Sequence, residues 1–234
     1  MRTLALETSD LPGSVAALEG RNFLLELTLP TSRRTTQSLI PTLKELLEKL
    51  AWQPRDVRLI GVSVGPGSFT GLRVGITVAK LLAYCLKADL VAVNTLEAIA
   101  AAAPEMPPEM PPEIVVVQEA LRGDIVGQSF RRQSDGPPEQ LGPQKLVAAE
   151  SWLNSLTRGT VVSGPGLRRL ARRLPPEVRL LPPETWQPRA GIVGRLAVDY
   201  HARGRRDDPW TLSPCYFRPS AAEEKMQNPG SQSS

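Results

Sequence analysis

The chain has 234 residues, 41% hydrophobic and 22% charged, a balance that excludes the disordered and fibrous classes and allows one large domain or two lobes. Its single histidine, His201, excludes by counting any metal site built on paired histidines and any relay that needs a second one. The formal charge of +4 is unevenly placed: residues 1–113 hold 11 basic and 12 acidic side chains, residues 114–234 hold 17 and 12. The only cysteines, Cys85 and Cys215, are far apart, and such sparse usage favours free thiols. No apolar run reaches the ~18–20 residues of a membrane span. Residues 1–7 show neither a long apolar stretch nor a small-residue cleavage site, so the expectation is a cytoplasmic protein.

In chain order, Thr3 to Glu7 reads as a short buried strand, followed by strands over Gly13–Leu18 and Phe23–Leu29 around the turn Glu19-Gly20-Arg21-Asn22. Ser38 is placed to cap a helix with Pro41 in its first turn. Leu39, Leu43, Leu46 and Leu50 then recur at helical spacing. Leu59 to Val64 is a continuous apolar strand. Leu72 to Leu86 is helical in period yet apolar on two sides: Leu72, Ile76, Ala79 and Ala83 form one face, and Val74, Val78, Leu81 and Cys85 form another. Within that apolar pattern Cys85 reads as a small buried hydrophobe. Val91 to Val93 is a strand and Leu96 to Ala103 a short helix. The order βββ-α-β-α-β-α is that of an α/β lobe.

Pro104 to Pro112 carries five prolines in nine residues, which forbids helix and central strand. It forms either a stiff spacer between lobes or an elaborated surface loop. Beyond it, Ile114–Val117 and Ile125–Phe130 read as strands, Lys145–Leu156 as a helix, and Thr160–Ser163 as a strand ending at Gly164-Pro165-Gly166. Leu167–Leu174 and Gly191–Arg203 read as helices, so the second half repeats the first in weaker form. The resulting division is a first lobe at 1–103, a Pro-rich linker or loop at 104–113, a smaller second lobe at 114–218, and a disordered tail at 219–234. The basic excess falls in Arg131-Arg132, Arg168-Arg169, Arg172-Arg173, Arg203 and Arg205-Arg206. Such clusters suit a salt-sensitive phosphate-binding surface or simply solvated helix faces.

The strongest motif is Gly65-Pro66-Gly67-Ser68-Phe69-Thr70-Gly71-Leu72-Arg73-Val74-Gly75, between a buried strand and a buried helix. Free N–H groups at a helix start can hold an anion. Ser68 and Thr70 add hydroxyls, Arg73 could close on a phosphate or carboxylate, and the glycines permit positive φ or close approach. No Gly-Lys-Ser/Thr ends the loop, so it is not a Walker loop. The alternative is a tight structural turn.

This motif closely resembles the signature of the TsaB (YeaZ) family. The resemblance continues at Leu4-Ala5-Leu6-Glu7-Thr8-Ser9, Gln37-Ser38-Leu39-Ile40-Pro41, Val93-Asn94-Thr95-Leu96-Glu97-Ala98 and Pro214-Cys215-Tyr216-Phe217-Arg218. It implies the actin-like, sugar-kinase-like (ASKHA) fold, with two βββαβαβα lobes facing a cleft. It also implies a non-catalytic subunit that acts with a TsaD-like catalytic subunit and a TsaE-like ATPase. Together they place threonylcarbamoyl on an adenosine of tRNA, which this chain would meet through the complex. No catalytic residue, no metal and no cofactor is required of this subunit, no membrane is involved, and ATP binding stays open.

In relatives that use ATP, an acid at the end of the first strand helps to hold metal-nucleotide. The family pattern has Asp there, whereas this chain has Glu7, followed by Thr8. The second lobe carries Glu119-Ala120-Leu121-Arg122 where the family has Asp-Ala-Arg, and Gly164 and Gly166 match the adenosine-side glycines. These are possible nucleotide-side remnants, Glu7 and Glu119 being equally readable as capped strand ends. TsaD binds metal through His-x-x-x-His, where this chain has Thr35-Thr36-Gln37-Ser38-Leu39, and no protease constellation can be assembled. The other reading is an autonomous ATP-dependent phosphotransferase of the same fold, for which only Glu7 is a clear candidate. The surplus apolar face (Val74, Val78, Leu81 and Cys85), with Leu39, Leu43 and Leu46, is the expected partner interface, used for homodimerisation when TsaD is absent. The competing expectation is that the second lobe covers it.

Overall fold

The computed structural model describes residues 1–104, 113–120, 123–133 and 136–217. The Pro-Glu-Met repeat and the predicted tail lie outside them, as do Leu121, Arg122 and Arg218.

The first sheet is built from β1 (Arg2–Glu7), β2 (Ser14–Glu19), β3 (Asn22–Thr28), β4 (Val57–Ser63) and β5 (Asp89–Val93), in the order β3-β2-β1-β4-β5. β2 runs antiparallel to β1 and β3, and β4 runs parallel to β1 and β5. β1 is buried on both faces, so helices must cover each side. On one side Leu4, Leu6, Val15 and Ala17 meet Leu39, Leu43 and Leu46 of α1 (Thr35–Lys49) and Leu72 and Ile76 of α2 (Phe69–Leu86). On the other, Ala5, Ala16, Leu18 and Leu59 meet Val193 and Ala197 of α6 (Ala190–Ala202). That approach is close: a Cβ on Gly194 would stand 2.2 Å from the Leu18 side chain.

The second sheet comprises β6 (Glu113–Glu119), β7 (Asp124–Arg131), β8 (Glu139–Gln140), β9 (Lys145–Ala148), β10 (Val161–Ser163) and β11 (Arg179–Leu180). Its order, β11-β10-β6-β7-β8 with β9 also on β7, repeats that of the first sheet. α3 (Thr95–Ala101) packs Leu96, Ile99 and Ala100 against Ile114, Val116 and Phe130 on one face. α4 (Ala149–Ser155) and α5 (Leu167–Leu170) cover the other. The arrangement is the actin-like one of two related sheets with helices between them.

Several expectations are corrected by tertiary contacts. α3 leaves the first half to pack on the second sheet, and α6 returns from the second half to the first, so 1–103 and 114–218 are not separate packing units. The returning segment after α6 stays with the first sheet: the N–H of Asp207 donates to Leu90 O, and that of Cys215 to Val64 O. The expected helix over 145–156 begins as a strand, because Lys145–Ala148 finds free edge partners on Asp124–Gly127 of β7. The helix expected at Leu167–Leu174 stops at Leu170 and tightens into a 3-10 turn. α1 starts at Thr35, so Ser38 is no cap; it is buried, and its Oγ donates back to Arg34 O at 3.1 Å. Pro41 therefore lies in the second turn, and the carbonyl it leaves without a donor belongs to the exposed Gln37. α2, at 18 residues, does match a membrane span in length and composition, though one face of it packs on the first sheet.

Candidate functional site

The glycine loop links β4 to α2. Gly65 alone in it has positive φ, at +109°. Ser68 caps α2, its Oγ accepting the Gly71 N–H at 3.2 Å, while its own N–H donates to Ser9 O at 2.7 Å. The other glycines are required by proximity: an added Cβ would stand 2.4 Å from Ser9 O at Gly67, 2.0 Å from Thr8 O at Gly71 and 2.1 Å from Thr8 Oγ1 at Gly75. The loop thus clamps the Thr8-Ser9 turn with its backbone. The Ser68 N–H and hydroxyl are thus engaged within the chain, as a tight structural turn requires. Gly67 in particular needs space rather than positive φ.

Arg73 is also engaged. Its guanidinium lies 4.2 Å from the Phe69 ring centre, and its Nε donates to the Tyr216 hydroxyl at 3.1 Å. The Phe69 and Tyr216 rings stack at 4.9 Å. This group locks the returning C-terminal segment over the loop beside Pro66, with Thr70 exposed alongside. Tyr216 was visible in the sequence only as part of a short motif; nothing local signals that it crosses 143 residues to meet Arg73. Arg73→Ala is expected to destabilise the fold by only ~0.5–1 kcal/mol, as for an exposed cation–π contact. It should also speed hydrogen exchange of the Cys215 amide; unchanged exchange would deny Arg73 this locking role.

Glu7 is fully enclosed, 1% exposed. Its Oε1 accepts the N–H and Oγ–H of Ser9, both at 2.5 Å, while Oε2 has no partner among the described residues. Burial pushes its pKa to about 7, against the opposing hydrogen bonds from Ser9. The Thr8 Oγ1 is likewise buried without a partner. Glu7 thus ends β1 inside the molecule, with one carboxylate oxygen engaged by Ser9. Just beyond it, Asp10 receives Arg168 of α5 in a two-pronged ion pair, 2.9 and 2.6 Å, which ties the first half to the second.

The second-half remnants behave similarly. Glu119 pairs with Arg169. Gly164, at φ +112°, would drive a Cβ to 2.3 Å from Val117 O, and the Gly166 N–H donates to the same carbonyl. Both glycines let the turn after β10 press on β6. Glu119 and Gly166 share a cavity of about 500 Å³ with Arg169 and Arg173, but Glu7 is not part of it. Among the described residues, no group of three or more His, Cys, Asp or Glu is placed to hold a metal.

The expected interface divides in two. Leu39, Leu43 and Leu46 are 0–4% exposed, turned into the first sheet, and are removed from it. The α2 face is open to solvent in part: Val74 and Val78 are partly exposed, Leu81 is 58% exposed and Cys85 is exposed, not buried as its apolar setting implied. Among the described residues, the second half leaves Leu81 and Cys85 open. Tyr84 and Trp210 extend it, meeting edge to face at 5.5 Å, and Trp210 is 75% exposed. Trp210 was missed by sequence reasoning, since its proximity to α2 depends on the path of the chain after α6.

Comparison with known proteins adds the following. Residues 29–150 match the family model described as "TsaD: tRNA N6-adenosine threonylcarbamoyltransferase". A Bacillus subtilis (strain 168) protein named tRNA threonylcarbamoyladenosine biosynthesis protein TsaB is 30% identical over 156 residues, 67% of this chain and 66% of that protein. The Escherichia coli (strain K12) protein of the same name is 27% identical over 136 residues, 58% of each chain. The matched stretch thus spans about two thirds or less of these relatives. A Pseudomonas aeruginosa crystal structure, titled as a protein with similarity to peptidase YeaZ, superposes with a TM-score of 0.78 at 25% identity, over 93% of this chain and 99% of that one.

Proposed function

The chain belongs to the TsaB (YeaZ) family, and on that premise we propose that it is a non-catalytic scaffolding subunit for tRNA threonylcarbamoylation. It works beside a TsaD-like transferase and a TsaE-like ATPase, and transfer chemistry belongs to the partner. The observation that carries this reading is the apolar face of α2 that the described residues leave open, with Leu81 at 58% exposure and Tyr84 and Trp210 at its end. An apolar face of this kind, left open by its own fold, marks a protein contact. The TsaD-like subunit is the partner, and a second copy of the chain takes its place when that subunit is absent. The phosphotransferase reading loses support, because Glu7 is enclosed and Asp10 is held by Arg168.

The test is Leu81→Arg. The side chain is already largely in solvent, so the variant should fold with a melting temperature within about 2 °C of wild type, as for surface changes of ±0.5 kcal/mol. Capture of the same organism's TsaD should fall at least tenfold, self-association should weaken with it, and formation of the modified nucleoside by the reconstituted complex should drop in proportion. A folded variant that captures TsaD as well as wild type would place the interface elsewhere.

A further inference from the structure

Most of the basic clusters in the second half are neutralised within the chain. Arg168 is held by Asp10, Arg169 by Glu119, Arg173 by Glu150, Arg131 by Glu113 and Glu139, Arg205 by Asp207 and Arg206 by Asp89. The seam where α6 meets the β2–β3 turn and the segment after β7 differs. There Arg21, Arg132 and Arg195 line one polar depression of about 290 Å³. Arg203 joins them at the rim: a Cβ on Gly136, a wall residue, would stand 3.0 Å from its guanidinium. Among the described residues the depression has one carboxylate, Asp199, and Arg21 engages it at 3.0 Å. Arg132 donates to the Pro104 carbonyl, a neutral acceptor. No carboxylate pairs with Arg195 or Arg203 among the described residues.

We propose that this depression is a binding site for the phosphodiester backbone of an RNA, an assignment that rests on the pathway reading above. Guanidinium groups bind phosphate through paired, charge-assisted hydrogen bonds. Here they come from three stretches of chain, Arg21 in the β2–β3 turn, Arg132 after β7, and Arg195 with Arg203 on α6 and its C-terminal cap, and they face an open depression, which suits successive phosphates along a strand better than one enclosed ion. No aromatic ring lines it among the described residues, so there is no platform for stacking a base, and contact is sequence-independent.

The experiment measures fluorescence anisotropy of a labelled, unmodified tRNA transcript with the isolated full chain, from about 50 to 200 mM salt. Arg132→Gln with Arg195→Gln should weaken binding roughly tenfold and reduce the slope of log affinity against log salt by about 2, one for each lost phosphate contact. Arg169→Gln with Arg173→Gln, on ion-paired arginines, should leave both quantities near wild type. Equal loss in the two pairs, or no binding by wild type at the lower salt, would overturn the site. Displacement of the RNA by millimolar inorganic pyrophosphate at matched ionic strength would overturn the RNA assignment in favour of free phosphate. Leu81→Arg, disabled in partner capture, should bind the transcript as wild type does. Loss of the RNA result with partner capture intact therefore removes this site and leaves the scaffolding role standing.

Discussion

Gly71→Ala should destabilise the protein by about 3 kcal/mol, at the upper end of overpacking costs, lowering its melting temperature by about 6–12 °C. The methyl would stand 2.0 Å from Thr8 O and 3.2 Å from Thr8 C, so the obstacle is backbone and not a side chain that can swing away. The Thr8-Ser9 turn cannot retreat easily. Glu7 holds it through two bonds to Ser9, and Ser68 N–H holds Ser9 O from the other side. On the proposed scaffolding role, in which α2 is the partner surface, the displacement should also weaken capture of the TsaD-like subunit beyond the loss of folded protein. Gly142→Ala is the control: no atom lies within 4 Å of its added Cβ. Thermal melts of the two variants decide the matter, and a Gly71→Ala protein as stable as the control would refute the clamp.

Glu7→Gln should change how stability depends on pH. In the folded protein burial raises the Glu7 pKa from 4.5 to about 7. A carboxyl whose folded pKa is raised contributes stability that is full below about 4.5 and is lost as pH rises through about 7, because the folded state holds the proton more tightly. The displacement corresponds to roughly 3 kcal/mol. Glutamine keeps an oxygen to accept from Ser9 but cannot ionise. Its stability relative to wild type should therefore increase by about 2–3 kcal/mol between pH 5 and pH 8. Urea denaturation of both proteins at pH 5, 6.5 and 8 measures the difference; parallel profiles would show that Glu7 does not titrate in an enclosed site.

The element order and the family signature were legible because they depend on local periodicity and on glycine spacing. β1, β4 and α2 are continuous apolar stretches whose period survives any tertiary arrangement. The surplus face of α2 was legible for the same reason, in the i, i+4 spacing of Val74, Val78 and, one step round, Leu81 and Cys85. Lys145–Ala148 was misread since a strand that lies at an edge owes its form to the partner it finds, here β7. Cys85 was misread because an apolar neighbourhood in sequence does not say which of two apolar faces meets the sheet.

The amino-acid pattern alone determined the two-sheet α/β class, the family, the absence of a paired-histidine metal site and the second apolar face of α2. Only the tertiary structure decided what the special residues do. It turned Leu39, Leu43 and Leu46 inward and left Leu81 outside. It exchanged α3 and α6 between the sheets, enclosed Glu7, paired Asp10 with Arg168, and brought Tyr216 onto Arg73. The physical reason is range. Helical and strand periods, and the close approach a glycine permits, are written within a few residues. Burial, ion pairing and the convergence of Arg21, Arg132, Arg195 and Arg203 on one depression depend on which distant segments the packed core brings together.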